Sequence, residues 1–201
     1  MLAVMEPWIS PTLEGRVVRL EPLSASHHEG LWEASRDPRT WTWLPILQPR
    51  THDELDAWIA AALDAAARGT ELPLVTIGHE DGRVLGSTRY LGLRPEHRSV
   101  EIGWTWLHPD AWQTGANVEA KLLMLTHAFD VWGCRRVELK TDALNERSRA
   151  AIEALGASFE GVHRQHQLAR GGENRDTAWY SILDGEWPGV RERLTTRLAR
   201  L

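Results

Sequence analysis

Gly115 lies between a predicted strand and a predicted helix, in a setting that could bind an anion. Residues 100–132 begin with an apolar strand pattern, pass through a short loop that contains Gly115, and continue as a helix. Along the helix, apolar residues recur at steps of four and three, as in a helix that buries one side: Val118, Leu122, Leu125, Phe129 and Trp132. The first N–H groups of a helix have no partner within it. Phosphate is the anion that usually binds there.

The loop differs from two common phosphate-binding motifs. A Walker loop ends in Gly-Lys-Ser/Thr, whereas Gly115 is followed by Ala116 and Asn117. The dinucleotide-binding fingerprint needs three spaced glycines at its first turn, and this loop contains one. The pattern therefore indicates an anion site without assigning it to either motif.

Two further pairs of residues have types that could do chemistry. His163 and His166 lie three apart in a predicted strand, where alternation places them on opposite faces, so a shared metal ion is not expected. Cys134 and His127 have the residue types of a nucleophile and its base. Cys134, however, lies at the far end of the predicted helix from the loop, and we interpret it as a structural thiol. The sequence predicts no metal site.

The loop and the start of the helix read Trp112-Gln113-Thr114-Gly115-Ala116-Asn117-Val118-Glu119-Ala120. This run resembles the acyl-CoA signature of the GCN5-related N-acetyltransferase (GNAT) superfamily, and most closely its RimJ/RimL-like branch. The signature is Gln/Arg-x-x-Gly-x-Gly/Ala, often continued by Thr-Glu-Ala. Trp112 stands where Gln or Arg is usual, and Asn117 replaces a small residue. The resemblance implies that the loop holds the CoA pyrophosphate, mainly through backbone N–H groups, at these residues: Gln113, Thr114, Gly115, Ala116 and Asn117.

A second run, residues 142–160, reads DALNERSRAAIEALGASFE. It resembles the other marker of this family, Asn-x-x-Ser followed by a short helix and Gly-Phe. Asn145, Ser148 and Gly156 match, whereas Ala157 replaces the usual aromatic residue. Alone, Asn145 is typical of a plain helix N-cap, and Ser148 of a hydroxyl that bonds its own helix. Two markers in this order favour an acyl-CoA-binding domain in which Asn145 and Ser148 contact the CoA.

The resemblance also implies where the thioester lies and what reacts with it. The thioester is expected where the fourth and fifth predicted strands part. The pantetheine arm would pair with backbone groups of Trp106, Leu107 and His108, because parting strands leave N–H and C=O groups free. Free N–H groups there would also polarise the thioester carbonyl. Ser148 matches the position that serves as the acid in the RimL-like branch, where it would act as a hydrogen-bond donor or proton relay to the sulfur.

The base that takes a proton from the attacking amine is less clear from the sequence. The RimL-like branch carries a glutamate on the strand after the second marker, but residues 162–167 contain no carboxylate. His166 or His163 could substitute, because the intrinsic pKa of histidine is near neutral. Glu138 matches a glutamate that RimI-like enzymes use as the base. Glu101 is the remaining candidate, and we rank Glu138 and His166 ahead of it.

Trp41 and Trp43 lie in an aromatic, proline-containing loop between the first two predicted helices, at residues 39–50. In folds of this family that loop borders the acceptor groove, so both rings are candidates for substrate contact. The alternative is that they pack in the core. An offset of two places both rings on one side only if the loop is extended.

The elements that must position these residues alternate along the chain. Strands are predicted at about 15–23, 72–79, 83–91, 100–108, 135–141, 158–168 and 177–183, and helices at about 26–36, 51–69, 116–132, 145–155 and 187–201. A helix connects the fourth and fifth strands, so they should be parallel. This order predicts one mixed-sheet α/β domain over residues 1–201, with a core at about 15–183. It is also the order of the GNAT fold, with about seven strands and flanking helices.

Length, composition and charge fit a single globular domain. The chain has 201 residues, of which 42% are apolar and 25% charged, enough for a substantial core. It has no apolar run of the roughly 20 residues that cross a bilayer, and no basic leader at its start. Its single cysteine excludes an internal disulfide and fits a reducing cytoplasm. The net charge of -5 argues against nucleic acid as the main partner.

Taken with the resemblance, these observations predict a cytoplasmic N-acetyltransferase. It would transfer an acetyl group directly from acetyl-CoA, its cosubstrate, to a primary amine, either a protein N-terminus or a small molecule such as an antibiotic or polyamine. The alternative is a non-catalytic acyl-CoA-binding or regulatory module, which Trp112, Asn117 and the missing carboxylate favour. The amphipathic helix at 187–201 could pack on its own domain or on a second copy, which leaves a homodimer open.

Overall fold

The computed structural model describes residues 8–200. Residues 1–7 and 201, and with them the N-terminal run and Leu201 of the last predicted helix, lie outside the described part. The strands within it are Leu13–Glu14 (β1), Val18–Pro22 (β2), Glu71–Gly78 (β3), Val84–Arg94 (β4), Ser99–Leu107 (β5), Arg136–Asp142 (β6), Ser158–Ala169 (β7) and Glu173–Leu183 (β8). The α-helices are His28–Ala34 (α1), His52–Ala67 (α2), Ala116–Thr126 (α3), Glu146–Leu155 (α4) and Trp187–Leu198 (α5).

All eight strands belong to one mixed sheet in the order β1-β2-β3-β4-β5-β6-β8-β7. β5 and β6 are parallel, and the other neighbours are antiparallel. The predicted α/β fold with a parallel pair joined by a helix is therefore confirmed. The sheet has one strand more than the seven expected, because β1 contains only two residues and is too short to show an alternating pattern.

Helices cover both faces of the sheet and create two apolar cores. The larger core lies between the sheet and the group α3, α4 and α5, and the smaller one lies under α1 and α2. Successive strand residues point to opposite faces. In β6, Val137 and Leu139 belong to the larger core, so Glu138 and Lys140 lie on the face of α1 and α2.

Two local signals in the sequence predict features that the structure confirms: Thr51, three residues before Glu54, predicts a helix cap, and the pair Asp81-Gly82 between two strand patterns predicts a hairpin. Thr51 caps α2, and its hydroxyl oxygen accepts a hydrogen bond from the N–H of Glu54 at 3.2 Å. The β3–β4 hairpin turns at Asp81-Gly82, where Gly82 has a φ of 68°. That left-handed conformation is the one for which glycine is favoured in tight hairpin turns.

The helix predicted up to Trp132 is shorter than expected. α3 ends at Thr126 and is followed by a π-helical turn, His127–Val131, in which the N–H of Trp132 bonds to the carbonyl of His127 at 3.0 Å. Phe129 remains buried and stacks on Trp187 with 5.3 Å between ring centres. Because the apolar pattern continues through the turn, the sequence alone does not reveal where the α-helix ends.

Glu119 ties α3 to the beginning of the sheet. Its buried carboxylate accepts hydrogen bonds from the backbone N–H groups of Arg16, Val17 and Val18 at 2.9, 2.6 and 2.7 Å. A Cβ atom on Gly15 would lie 2.5 Å from the carboxylate carbon, so glycine leaves the space that this carboxylate occupies. In the first turn of α3 its negative charge also suits the helix dipole. Its larger role is to complete the backbone bonding of the first strands.

Removing this carboxylate should destabilise the fold. We expect Glu119→Ala to lower the free energy of unfolding by about 3–5 kcal/mol, because three backbone N–H groups lose a buried, charged acceptor. Urea unfolding of wild type and variant measures the difference. Glu119→Gln is the matched control, since it keeps one acceptor oxygen and should lose less. A loss below about 1 kcal/mol for Glu119→Ala would contradict this role.

The C-terminal helix packs on its own domain. Trp187, Val190 and Leu194 are buried in the larger core, and the indole N–H of Trp187 donates to a carboxylate oxygen of Asp130 at 2.8 Å. The apolar stripe of α5 is therefore covered within one chain. None of the helices between residues 8 and 200 is both long and apolar enough to span a membrane.

Candidate active site

A cleft of about 970 Å³ opens where β5 and β6 part. The two strands pair over only three residues of each, from Ser99 opposite Arg136 to Glu101 opposite Glu138. β6 pairs with β8 on its other edge along its whole length, and beyond Glu101 no strand within residues 8–200 covers the edge of β5 that faces β6. Residues of α3 and α4 line the cleft on one face of the sheet, and residues of the α1–α2 loop line it on the other. The cleft therefore passes through the sheet.

At one end of the cleft lies the predicted anion-binding loop. Gly115 is the N-cap residue of α3 with a φ of 91°, and Gln113 has a φ of 65°. The hydroxyl of Thr114 donates to the carbonyl of Ala111 at 2.8 Å, which fixes the turn. Gly115 has no side chain to cap α3, and the N–H of Ala116 makes a long hydrogen bond to the hydroxyl of Thr114 at 3.4 Å. Within residues 8–200 the next N–H group, that of Asn117, has no such partner and is free for a ligand.

Trp112 anchors this loop rather than disturbing it. Its indole N–H donates to the carbonyl of Leu107, at the end of β5, at 3.1 Å. The guanidinium of Arg147, the second residue of α4, lies 3.6 Å from the centre of the Trp112 ring. Arg147 also lines the cleft, so it brings a positive charge to the end where an anion would bind. Sequence reasoning did not single out Arg147.

Asn145 and Ser148 lie together at the start of α4, as their spacing predicted. The side-chain oxygen of Asn145 accepts a hydrogen bond from the N–H of Ser148 at 3.0 Å, which is the N-cap geometry. Both residues also line the cleft, with Ser148 half-buried. The cap and the predicted contact with a ligand are therefore compatible.

The backbone expected to pair with an extended ligand arm is only partly available. Trp106 and Leu107 line the cleft, although the carbonyl of Leu107 already accepts from Trp112. The N–H of His108 bonds to the carbonyl of Leu85 at 2.8 Å, and the His108 ring caps the turn at Asp110. The structure therefore places His108 outside the open edge, and leaves the earlier part of β5 free.

A β-bulge lies at the centre of that open edge. Trp104 and Thr105 stand opposite the single residue Thr88 of β4, and Trp104 has a φ of 50°. A bulge leaves backbone groups of its extra residue unpaired. Both bulge residues line the cleft, so their N–H groups are candidates for polarising a carbonyl oxygen.

Two carboxylates of residues 8–200 line the cleft, Glu71 and Glu101, and Glu71 is engaged by Arg89 at 2.6 Å, which leaves Glu101 as the candidate base. Glu101 is 4% exposed, and its Oε2 atom pairs with Nζ of Lys140 at 2.9 Å. Its Oε1 atom is buried and has no hydrogen-bond partner among the described residues. A Cβ atom on Gly103 would lie 2.9 Å from Oε1, so glycine leaves room for the carboxylate. Burial raises the pKa of Glu101 and the ion pair lowers it in part, with a net rise. A free acceptor with raised proton affinity suits a general base.

The two bases ranked first from the sequence lie elsewhere. Glu138 is buried on the same face as Glu101, but its carboxylate pairs with Arg94 at 2.6 Å and with Arg136 at 2.9 Å, and it does not line the cleft. His166 on β7 bonds through its ring to the hydroxyl of Thr177 at 3.1 Å. Burial, aided by nearby positive charge, lowers the pKa of His166.

The predicted separation of His163 and His166 onto opposite faces is wrong. Their ring centres lie 5.6 Å apart, because β7 bulges between His163 and Gln167 and Gln165 adopts a φ of 51°. The N–H of Gln165 bonds to the carboxylate of Asp176 at 2.7 Å and holds the bulge. The bulge places three residues of β7, 164–166, opposite the single residue Asp176 and so interrupts the alternation on which the prediction depended.

Cys134 has the environment of a structural thiol. It is buried in the larger core, and burial raises the pKa of its thiol to about 12. A thiol that stays protonated at neutral pH is a poor nucleophile. The structure therefore supports the interpretation drawn from its place in the sequence.

The two tryptophans of the α1–α2 loop occupy different environments. Trp41 is 4% exposed, stacks against Trp106 at 5.1 Å and belongs to the smaller core, whereas Trp43 is half-buried and lines the cleft. The structure thus brings only Trp43 to the surface where an acceptor would bind. The same loop is pinned to the β7–β8 turn, because the N–H of Arg170 bonds to the carbonyl of Pro45 at 2.9 Å. Loop and turn together cover this face of the cleft.

Lys121, on α3, is a cleft residue that sequence reasoning missed. It is 4% exposed, and its ammonium donates to the hydroxyls of Thr105 and Thr88 at 2.6 and 3.1 Å. A signal was available in the composition. The chain contains 21 arginines but only two lysines, Lys121 and Lys140, and both line this cleft.

Comparisons with known proteins agree with this geometry. A family model described as an acetyltransferase (GNAT) domain matches residues 18–158. YdaF of Bacillus subtilis (strain 168), named provisionally as a ribosomal N-acetyltransferase, is 32% identical over 111 residues, which cover 55% of this chain and 60% of YdaF. The chain therefore matches less than two thirds of that relative's length.

Solved structures are similar over nearly the whole chain. A GCN5-related N-acetyltransferase from Brucella melitensis is 35% identical with a TM-score of 0.90, over 96% of this chain and 87% of the other. RimJ of Mycobacterium smegmatis, solved in complex with CoA-disulfide, is 22% identical with a TM-score of 0.78, over 95% of each chain. At that identity the second likeness concerns the fold.

Proposed function

The chain belongs to the GNAT acetyltransferase family, and on that premise we propose that it transfers an acetyl group from acetyl-CoA to the N-terminal amine of a protein. The observation that carries the proposal is the cleft that passes through the sheet. One end is an anion-binding loop at Gly115, and the other face holds the free carboxylate oxygen of Glu101. The name of YdaF favours a ribosomal protein as the acceptor.

The residues at the anion end fit a CoA pyrophosphate. The free N–H groups at the start of α3 are the donors that phosphate oxygens prefer, and Arg147 adds a positive charge beside them. Asn117 lines the cleft and offers an amide that can donate to the same anion, so its departure from the family pattern is no obstacle. The uncovered edge of β5 can pair with the amide groups of an extended arm.

The opposite face supplies the groups for the acceptor. An amine attacks only when it is neutral, and Oε1 of Glu101 is free to take the proton of an incoming ammonium. The neutral amine then attacks the thioester carbonyl from this face. N–H groups at the bulge of Trp104 and Thr105 would stabilise the oxyanion that forms. Glu101 is thus our choice for the base, ahead of Glu138 and His166.

The shape of the acceptor face supports a chain end as the substrate. Trp43 and the apolar residues that follow it line one side of the cleft, and the hydrogen bond between Arg170 and Pro45 holds the β7–β8 turn against this loop. An extended terminal segment of a protein enters a cleft that is partly covered in this way more easily than a side chain on a folded surface does. Ser148 remains available on the CoA side for a hydrogen bond to the sulfur.

Calorimetric titration with acetyl-CoA, followed by release of free thiol in the presence of amines, tests the proposal. The panel contains peptides with the N-termini of ribosomal proteins, the same peptides with blocked N-termini as matched controls, polyamines and aminoglycosides. We expect binding of acetyl-CoA, and thiol release with free but not blocked peptides. Release with small amines alone would reassign the acceptor. Binding without release would favour a non-catalytic acyl-CoA-binding module, and absence of binding would contradict both.

A further inference from the structure

The amine of Lys121 is a buried cation without a counter-ion. Nζ donates to Thr105 and Thr88, and no carboxylate of residues 8–200 forms an ion pair with it. Removing an ammonium from water without a paired charge is costly. Burial accordingly lowers the pKa of Lys121 to about 7. Because an apolar residue at this position would avoid that cost, the amine is expected to have a function in the cleft.

The scarcity of lysine in the chain indicates which property of Lys121 matters. Arginine occurs 21 times, and lysine only at positions 121 and 140. Arginine supplies positive charge equally well but does not release a proton in proteins, whereas a buried lysine does so readily. Lys140 forms an ion pair with Glu101, whereas the hydrogen-bond partners of Lys121 among the described residues are hydroxyl groups. Lys121 is therefore the lysine whose amine no carboxylate of residues 8–200 engages.

The position of Lys121 relates it to the leaving group. β5 runs toward the anion loop and α3 leads away from it, so an extended arm that starts at Gly115 and follows the open edge of β5 backward passes Thr105 before it reaches Gly103 and Glu101. Nζ of Lys121 lies 2.6 Å from the hydroxyl of Thr105, on the face of α3. Glu101 lies on the opposite face, from which the acceptor approaches. Lys121 is therefore on the side where the sulfur would lie.

Resting on the proposed function, we propose that Lys121 donates the proton that the departing CoA thiolate takes up. When the tetrahedral intermediate collapses, the carbon–sulfur bond breaks and its electron pair goes to sulfur. An N–H of the Lys121 ammonium protonates that sulfur and leaves a neutral amine, which regains a proton from solvent after the products leave. The acceptor ammonium gives up two protons in all. One passes to Glu101 before the attack and later returns to solvent, and the second passes from the nitrogen of the tetrahedral intermediate to water as the amide forms. The products are the amide and the CoA thiol.

Lys121 suits this step better than Ser148 does. An acid whose pKa lies near the working pH can both hold and release its proton, whereas a serine hydroxyl is too weak an acid to lose one. Thr105 and Thr88 orient the amine. Ser148 would then hydrogen-bond the sulfur without supplying the proton.

The test measures ionisation of the CoA thiol in the product complex, which needs no acceptor. Wild type, Lys121→Met and Lys121→Arg are each saturated with reduced CoA, and the absorbance of the bound thiolate is measured as a function of pH. A CoA analogue that lacks the sulfur serves as the blank. An ammonium next to the sulfur favours the thiolate, so the ionisation constant of the bound thiol should be about tenfold or more higher on wild type than on Lys121→Met. Lys121→Arg keeps the charge and should retain much of this shift.

The second part of the test measures the rate of acetyl transfer by wild type and both variants to a peptide that proves to be an acceptor in the panel described above. Both variants should lose about 10²- to 10⁴-fold in kcat, since neither can donate the proton at neutral pH. Retained thiol ionisation with lost turnover in Lys121→Arg separates proton donation from charge alone. If Lys121→Met binds CoA with wild-type thiol ionisation and turns over at the wild-type rate, the inference is overturned. If wild type itself binds no CoA, the proposed function fails first.

Discussion

Glu101→Gln should lower the rate of acetyl transfer by about 10²- to 10⁴-fold, the usual contribution of a general base, while affinity for acetyl-CoA stays close to that of wild type. Glutamine has the shape of glutamate and can still accept from Lys140, but it cannot take a proton. Steady-state kinetics with the acceptor peptide and calorimetry with acetyl-CoA measure the two quantities separately.

The pH profile of wild type should carry the signature of the same residue. Because burial raises the pKa of Glu101, its carboxylate ionises above the ordinary range for glutamate. kcat/KM should therefore rise with pH through this raised pKa, and Glu101→Gln should lose that rise. Glu138→Gln is the comparison, since Arg94 and Arg136 occupy the Glu138 carboxylate. If Glu138→Gln abolishes turnover and Glu101→Gln does not, the base is Glu138, as the sequence ranking had it.

Gly115→Asp should weaken CoA binding by about 10²- to 10³-fold, because a carboxylate within a few ångströms of a phosphate costs several kcal/mol at the effective dielectric of a protein surface. Gly115→Asn is the matched control. Asparagine tolerates the positive φ of this position about as well as aspartate does, and adds no charge. Calorimetry with CoA gives both affinities.

The pair of variants separates charge from geometry at the anion loop. A large loss for Gly115→Asp alone supports a phosphate at this helix end. Equal losses for both variants would mean that the backbone, not the charge, is disturbed. Wild-type affinity in Gly115→Asp would place the phosphate elsewhere.

Features of the fold that depend on local chemistry could be read from the sequence. Thr51 marked the start of α2, Asp81-Gly82 marked a hairpin, and the helix between β5 and β6 required them to be parallel. Each of these signals lies within a few neighbouring residues or follows from chain connectivity. The end of α3 could not be predicted, because the apolar pattern continues through the π-helical turn. The bulge at Gln165 could not be predicted either, because it depends on the pairing of β7 with its partner strand β8.

Residues of the candidate site could be predicted where they belong to a sequence motif, but not where contacts between distant parts of the chain determine their role. Gly115, Asn145 and Ser148 lie in recognisable runs, and the structure brings them to one cleft or its rim. The choice between Glu101 and Glu138 depends on which of two buried carboxylates the arginines occupy, and no spacing in the sequence reveals that. Lys121 belongs to no motif. Only the scarcity of lysine in the whole chain could have drawn attention to it.

Under the proposed function, the parting of β5 and β6 would also tie the stability of the protein to the supply of acyl-CoA. An acyl-CoA that completes the uncovered edge of β5 binds the native chain and not the unfolded one, so its occupancy adds to stability by mass action. At a free concentration 100 times the Kd, the gain is about 2.7 kcal/mol. When acyl-CoA is scarce, the chain opens more often and is exposed to proteolysis for longer. The abundance of the protein should then follow the acyl-CoA level without any dedicated regulator.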